Sequence, residues 1–159
     1  MYDEGLAMPF PEKLLIARME DYHTHYLGKT GDGRLFWGYE TFAYSPPIAQ
    51  IKDNSYWKYR FDYAVLHLFD GEGNYQSSKS FTCGKGVLPK GNIMTERLEE
   101  WVAELGEFAY CDIEVKLFQT MIDEFTFGLI PNRNGRLSIE LQPSSTISFQ
   151  EPWDGEYCT

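Results

Sequence analysis

Short β-strand signals separated by turn signals fill most of this chain of 159 residues. The clearest strand is the run 63–69, which is apolar on both faces, as expected of a central strand that is covered on both sides. It is followed by the turn 70–74, which is rich in Gly and Asp, and then by the more polar alternating run 75–82, which is typical of an edge strand. Runs joined by such tight turns are expected to pair as antiparallel neighbours.

Further strand pairs are predicted on the same grounds. The runs 22–27 and 34–44 flank the glycine-rich segment 28–33, which predicts a hairpin. The alternating run 112–122 is predicted to pair with 125–130 across a two-residue turn. Shorter strands are predicted at 137–141 and 146–149.

One stretch of the chain has convincing helical periodicity. Residues 93–105 place apolar side chains on one stripe, while glutamates occupy much of the remaining surface. Asn92 is suited to begin this helix, and Gly106 is suited to the left-handed conformation that follows a helix C-terminus. The stripe consists of Met94, Leu98, Trp101, Val102 and Leu105.

Together these patterns predict an α+β fold. We expect a mostly antiparallel sheet of about six to eight strands, packed by one main amphipathic helix at about 93–105. The length fits a single domain, 1–159, and a domain of this size can bury enough surface to fold without a metal or a disulfide.

The excess of acidic residues limits the kinds of partner that the protein is expected to bind. There are 24 acidic and 14 basic residues, so the formal net charge is −10. This charge argues against nucleic-acid binding, because phosphate neutralisation needs Lys and Arg, and it favours a basic partner. The sequence shows no secretory signal, no apolar run long enough to span a membrane, and three widely spaced cysteines. We therefore predict a cytoplasmic protein with reduced thiols that binds neither nucleic acid nor membranes.

The histidines offer the main candidate for metal chemistry. On a strand, His23 and His25 would point to the same face as Asp21, and two imidazoles with a carboxylate can bind a divalent metal. A small metal-binding protein or metal-dependent enzyme that uses the Asp21/His23/His25 face is therefore our alternative hypothesis. The other interpretation makes these residues the solvent face of an amphipathic strand. His67 lies in the apolar run 63–69 and is expected to be buried and hydrogen-bonded.

Other catalytic signatures are weak. The chain has no Gly-x-Ser-x-Gly motif, and its glycine-rich segment 84–91 lacks the Gly-Lys-Ser/Thr ending of a phosphate-binding loop. Neighbouring carboxylates have no spacing that predicts an acid and a base with separated pKa values. We predict no catalytic residue, no metal ligand and no cofactor, and we favour a protein that is not an enzyme.

Aromatic residues are abundant, with 11 Phe, 11 Tyr and 4 Trp. Tyr and Trp often anchor protein interfaces, and a negative field speeds encounter with a basic protein. These features favour protein–protein binding, with Trp37, Trp153 and Tyr157 among the candidate contact residues.

Several segments together resemble a known family. They lie at 16–17, 22–25, 31–36, 63–70, 112–118, 127–129 and 152–157, and the likeness extends from about Pro11 to Thr159. In these segments the chain resembles small bacterial proteins known as formate hydrogenlyase regulatory protein HycA. The resemblance implies a regulator of hydrogenase expression that acts through protein contacts, and it carries over no catalytic residues. It points to 22–25, Asp70 and 153–155 as segments of importance.

In size, acidity and fold class the chain is also similar to immunity proteins that neutralise a basic toxin. We therefore predict a non-enzymatic, acidic protein-binding protein, regulatory or toxin-neutralising. Its oligomeric state and the identity of its partner are left open. The candidate binding residues are His23, His25, Trp37, Trp153, Asp154 and Tyr157.

Overall fold

The computed structural model describes residues 10–19 and 22–159. In these ranges it has twelve strands, one α-helix and two short 3-10 helices, at Ile48–Gln50 and Tyr56–Tyr59. The first strands are β1 (Lys13–Ile16), β2 (Tyr26–Thr30), β3 (Leu35–Tyr44), β4 (Arg60–Phe69) and β5 (Tyr75–Thr82). The helix α1 (Ile93–Ala103) follows. The remaining strands are β6 (Phe108–Tyr110), β7 (Ile113–Lys116), β8 (Gln119–Ile122), β9 (Phe125–Asn132), β10 (Ser138–Gln142), β11 (Ser148–Phe149) and β12 (Tyr157–Cys158).

The largest layer is a five-stranded antiparallel sheet in the order β5-β4-β3-β2-β6. Its strand β4 is the predicted central strand, because successive side chains alternate between two cores. Val65 and Phe69 point into the main core, whereas Ala64 and Leu66 point towards the helix. The polar strand β5 lies at one edge of the sheet, as its alternation indicated.

Helix α1 covers the second face of this sheet through its apolar stripe. Met94, Leu98, Trp101 and Val102 are buried against Phe36, Ala64 and Leu66, which confirms the predicted packing of the helix. The helix ends at Ala103 rather than Leu105, and Gly106 takes the expected left-handed backbone with φ of +85°.

A second sheet, β12-β11-β10-β9-β8, and the two-stranded pair β1-β7 cover the other face. The main core lies between these layers and includes Trp37, Val65, Val115, Phe127 and Leu141, all of which are less than 2% exposed. The α+β class with mostly antiparallel pairing is therefore confirmed, but the prediction of six to eight strands was too low.

The extra strands have identifiable causes. The predicted strand 112–122 is split, because β7 pairs with β1 while β8 pairs with β9. At the break the Leu129 amide donates to the Phe118 carbonyl at 3.0 Å. Strands β6 and β12 have only two or three residues, which is too short for a periodic signal, whereas β11 forms within the predicted strand 146–149.

The predicted first hairpin forms, but its first strand begins later than the sequence indicated. Residues 22–25 form a turn and bend, and β2 extends through Gly28–Thr30 into the segment predicted to be loop. Gly28 permits this arrangement because a Cβ there would lie 2.2 Å from the Ala109 carbonyl oxygen on β6. Because β2 begins only at Tyr26, His23 and His25 are not on a strand.

Cys83, Cys111 and Cys158 are free thiols, and Cys111 packs partly against the main core. Across residues 10–19 and 22–159, no helix has the length and apolar character needed to cross a membrane.

Candidate functional site

The turn 22–25 packs against the main core. The Trp37 indole donates a hydrogen bond of 2.9 Å to the His23 carbonyl, and Trp37 is completely buried. The Thr24 hydroxyl lies 3.0 Å from the Tyr157 hydroxyl, and both residues are buried. His23 is 7% exposed, and its ring packs edge-on to Tyr157 at 6.2 Å. The structure therefore brings three predicted binding residues together, as a buried cluster rather than an exposed surface.

His25 is half-buried beside the last strand of the first sheet. Its carbonyl accepts a hydrogen bond of 3.1 Å from the Arg18 guanidinium, and its ring lies 5.3 Å from Tyr110. The same guanidinium stacks over the Tyr110 ring at 4.6 Å. His25 therefore helps to place a cation against an aromatic residue of β6.

The proposed metal triad does not have the strand geometry on which it depended. Asp21 lies outside the described residues, and His23 and His25 occupy a turn, where residues two apart need not share a face. Over the described ranges, no group of three or more His, Cys, Asp or Glu side chains is arranged to hold a metal ion.

Trp153 and Asp154 lie in a separate turn near the end of the chain. Trp153 has a positive φ of 60° and packs against Phe10 with ring centroids 5.9 Å apart. The Asp154 carboxylate accepts a hydrogen bond of 3.1 Å from the Glu156 amide. The carbonyl of the next residue, Gly155, accepts a hydrogen bond from the Ala17 amide. This turn therefore holds the residue that directly follows β1.

A polar cleft of about 260 Å³ lies beside His23, between β3, β4 and the start of α1. Its strongest polar groups are engaged within the protein. Arg60 pairs with Asp62 at 2.9 Å, and the Thr95 hydroxyl donates to the Glu40 carboxylate at 3.3 Å. The cleft can offer hydrogen bonds to a small polar molecule, but the Arg60 charge is already paired with Asp62 and the Glu40 carboxylate already accepts a hydrogen bond.

The strongest surface feature is an acidic face on α1 and the loop after it. We define this acidic face as Glu96, Glu99, Glu100 and Glu107, all of which are exposed. Glu104 is also exposed but forms a close ion pair of 2.8 Å with Lys79, so it is left out of the definition, whereas Glu100 is kept because Arg97 approaches it only to 4.0 Å.

Strand β6 follows the acidic face directly and carries exposed aromatic rings. Phe108 is 39% exposed and Tyr110 is 36% exposed, and their rings are 5.1 Å apart. Both rings contact Phe36 on the helix side of the sheet. The Tyr26 hydroxyl links the two features by donating to Glu99 at 3.3 Å.

The pKa values of two tyrosines reflect how close the acidic face lies to β6. Burial raises the pKa of the Tyr26 hydroxyl, and the Glu99 carboxylate raises it further by stabilising the protonated form. Burial also raises the pKa of Tyr110, with the Arg18 guanidinium opposing this rise and Glu99 adding to it. The sequence marked the glutamates as the polar side of a helix but gave no periodic signal for the three-residue strand beside them.

A second exposed aromatic surface surrounds Trp57, which is 64% exposed, and Leu88, which is 81% exposed. Unlike the acidic face, this surface has cations beside its aromatic rings. The Lys58 ammonium lies 5.8 Å from the Trp57 ring, and the Lys85 ammonium lies 5.7 Å from the Tyr59 ring.

Comparison of the chain with models of known protein families, with curated protein sequences and with solved structures found no match.

The buried cluster leads to a stability prediction. Tyr157→Phe removes a hydroxyl that lies 3.0 Å from the buried Thr24 hydroxyl, and we expect it to lower the free energy of unfolding by about 1–2 kcal/mol. Denaturant unfolding measures this change. Tyr59→Phe is the control, since that hydroxyl makes an exposed hydrogen bond to Asp53, and its removal should change stability by less than about 0.5 kcal/mol. Equal losses in both variants would contradict a structural role specific to Tyr157.

Proposed function

We propose that this protein binds a basic protein through the acidic face of α1 together with the neighbouring strand β6. One observation carries the proposal: four exposed glutamates lie next to a sheet edge that displays two partly exposed aromatic rings. Carboxylates attract and orient a cationic partner, and aromatic side chains supply the apolar contacts that hold it.

The overall charge supports the same partner class. With a net charge of −10, the protein repels acidic proteins and accelerates encounter with basic ones. Two roles fit this surface. One is the regulatory role implied by the HycA resemblance, and the other is neutralisation of a basic toxin.

The Trp57 surface is a weaker candidate for a basic partner. The ammonium groups of Lys58 and Lys85 lie beside its aromatic rings, whereas the Arg18 guanidinium beside Tyr110 on β6 is accompanied by the four exposed glutamates of the acidic face. Trp57→Ser therefore serves as an aromatic control that should leave binding unchanged.

The test compares two variants of equal charge. One carries Gln at Glu96, Glu99, Glu100 and Glu107, and the other carries Gln at Glu72, Glu114, Glu151 and Glu156, all of which are exposed. Each set removes four carboxylates and changes the formal net charge from −10 to −6. Tagged protein is used to isolate partners from extract of its source cells at low salt, and each purified partner is then titrated calorimetrically against both variants.

We expect the acidic-face variant to bind about 10- to 100-fold more weakly than the wild type, since each exposed charge contributes roughly 0.2–1 kcal/mol. The control variant should lose much less, and higher salt should reduce the difference between the two. Equal affinities for the two variants, or retention of a partner that is not basic, would contradict the proposal.

A further inference from the structure

Strand β6 is the last strand of its sheet, and its outer side is exposed. Among the described residues it pairs only with β2, opposite Gly28, Lys29 and Thr30. We propose that an extended segment of the basic partner pairs with β6 as a sixth strand of this sheet. This inference rests on the proposed function and specifies how the partner binds.

The backbone of β6 has the groups that such a strand requires. The Gly31 amide donates to the Glu107 carbonyl at 2.8 Å, and the Cys111 amide donates to the Leu27 carbonyl at 3.0 Å. Positions 107, 109 and 111 therefore face β2 and the residue that follows it, Gly31. Because an antiparallel ladder alternates, the N–H and C=O groups of Phe108 and Tyr110 point away from β2 towards solvent. Two residues thus offer four backbone groups to an incoming strand.

The side chains beside this edge define what the added strand should carry. Phe108 and Tyr110 project to the helix side of the sheet, where Glu99 is hydrogen-bonded to Tyr26. Lysine or arginine at alternate positions of the added strand could lay its aliphatic stem over these rings and direct its charge towards the acidic face. Arg18 makes this kind of contact within the protein itself, since its guanidinium lies 4.6 Å from the centre of the Tyr110 ring. The expected segment therefore alternates basic with β-branched residues.

A second copy of this chain is a poorer occupant of the edge. Pairing of β6 with β6 of another molecule would bring two acidic faces together, and each contains four exposed glutamates. Like charges placed opposite one another across an interface oppose association. Charge complementarity therefore favours a basic partner segment.

The first test varies the protein at Phe108. Phe108→Pro removes the outward N–H but leaves the hydrogen bonds to β2 in place, and proline is tolerated where a strand faces solvent. Phe108→Ala removes the ring but keeps the N–H. The probe is a fluorescein-labelled, N-acetylated peptide of seven residues, alternating arginine and valine, and its binding is followed by fluorescence anisotropy at low salt. We expect the proline variant to bind at least about tenfold more weakly than the alanine variant.

The second test leaves the protein unchanged, so it does not depend on whether Phe108→Pro folds. Two versions of the peptide are N-methylated, one at every arginine and the other at every valine. A strand that adds to an edge uses the amides of only one alternate set. We expect one version to lose at least about tenfold in affinity relative to the other, through loss of the edge hydrogen bonds.

The outcomes separate strand addition from simple charge attraction. Equal binding of the two methylated peptides would overturn strand addition, and so would failure of the wild-type protein to bind the unmethylated peptide. If the partner protein nevertheless binds the acidic-face variant more weakly than the control variant, the proposed function stands without strand addition. Sedimentation showing a wild-type dimer that Phe108→Pro converts to monomer would also overturn the inference, because a second copy would then occupy the edge.

Discussion

Gly128→Ala is expected to lower the free energy of unfolding by more than about 3 kcal/mol, which would place it among the most damaging single-methyl additions in this protein. A Cβ at this position would lie 2.1 Å from the Phe118 carbonyl oxygen, and that oxygen belongs to backbone that cannot rotate away. The φ of Gly128 is +138°, a conformation that residues with a side chain rarely adopt. Steric collision and backbone strain therefore act together at one residue.

Two glycine variants separate these causes. Gly135 has a positive φ of 70° and open space for 4 Å around the position that a Cβ would take, so Gly135→Ala should cost about 1 kcal/mol from strain alone. Gly28 lacks the positive φ but would place a Cβ 2.2 Å from the Ala109 carbonyl, so Gly28→Ala should cost about 2–3 kcal/mol from collision. Urea denaturation of the three variants measures all three losses. If Gly128→Ala proved no worse than Gly135→Ala, the close approach to Phe118 would be refuted.

The break between β7 and β8, which lies beside this close contact, could not be predicted from the sequence. The alternation of Ile113, Val115 and Leu117 predicts one continuous strand, and the local pattern contains no reason for a break. The break arises because 113–116 pairs with 13–16, a partner far away in the sequence, while 119–122 pairs with its neighbour β9. The alternation within a segment shows that it is a strand but does not show which distant segment it pairs with.

The strands joined by tight turns could be predicted because their partners are adjacent in sequence. The pairs β2-β3, β4-β5 and β8-β9 all follow this rule, and the apolar run in β4 correctly indicated a strand covered on both faces. The helix stripe was equally informative, since the spacing of Leu98 and Val102 can bury only one side.

Burial of the candidate binding residues could not be predicted in the same way. An aromatic residue such as Trp37 fits both a core and an interface, and only the second sheet covering β3 decides that it is in the core. The turn 22–25 alternates like a strand, but its conformation is fixed by contacts with Trp37 and Tyr157, which are distant in sequence. The glutamates of the acidic face were visible in the sequence, whereas the position of β6 beside them depends on pairing with β2.

The second large effect concerns His67, which is completely buried in β4. Its Nε2 lies 2.9 Å from the Tyr39 hydroxyl and its Nδ1 lies 2.6 Å from the Ser78 hydroxyl. The Ser78 hydroxyl is also 2.7 Å from the Tyr75 hydroxyl, and Phe118 packs on the imidazole with ring centroids 4.9 Å apart. A neutral imidazole satisfies this environment, because it has one donor and one acceptor and each hydroxyl can take the complementary role. The prediction that His67 is buried and hydrogen-bonded is therefore confirmed.

Burial without a counter-charge lowers the pKa of His67 from 6.5 to about 3. Its titratable contacts, Tyr39 and Tyr75, are hydroxyls that stay protonated in the acidic range. Below pH 6.5 the unfolded chain therefore binds a proton that the folded protein excludes, and the stability contributed by neutral His67 falls as the pH drops towards 3. The expected loss approaches about 1.4 kcal/mol per pH unit, or about 2–3 kcal/mol between pH 6 and pH 4.

A variant without the imidazole separates the pH dependence of stability caused by His67 from that caused by the many carboxylates. His67→Gln keeps an amide that can hydrogen-bond to Tyr39, and it removes the imidazole. The difference in unfolding free energy between wild type and His67→Gln, measured at several pH values in urea, should be constant above about pH 7 and should shrink by about 2–3 kcal/mol between pH 6 and pH 4. NMR provides a measurement on the wild type alone: the His67 ring resonances should not titrate above about pH 4, whereas a midpoint near pH 6.5 would show that water reaches the ring. That midpoint would contradict the burial of a neutral His67, because an imidazole in contact with water could not pack under Phe118 in a closed core.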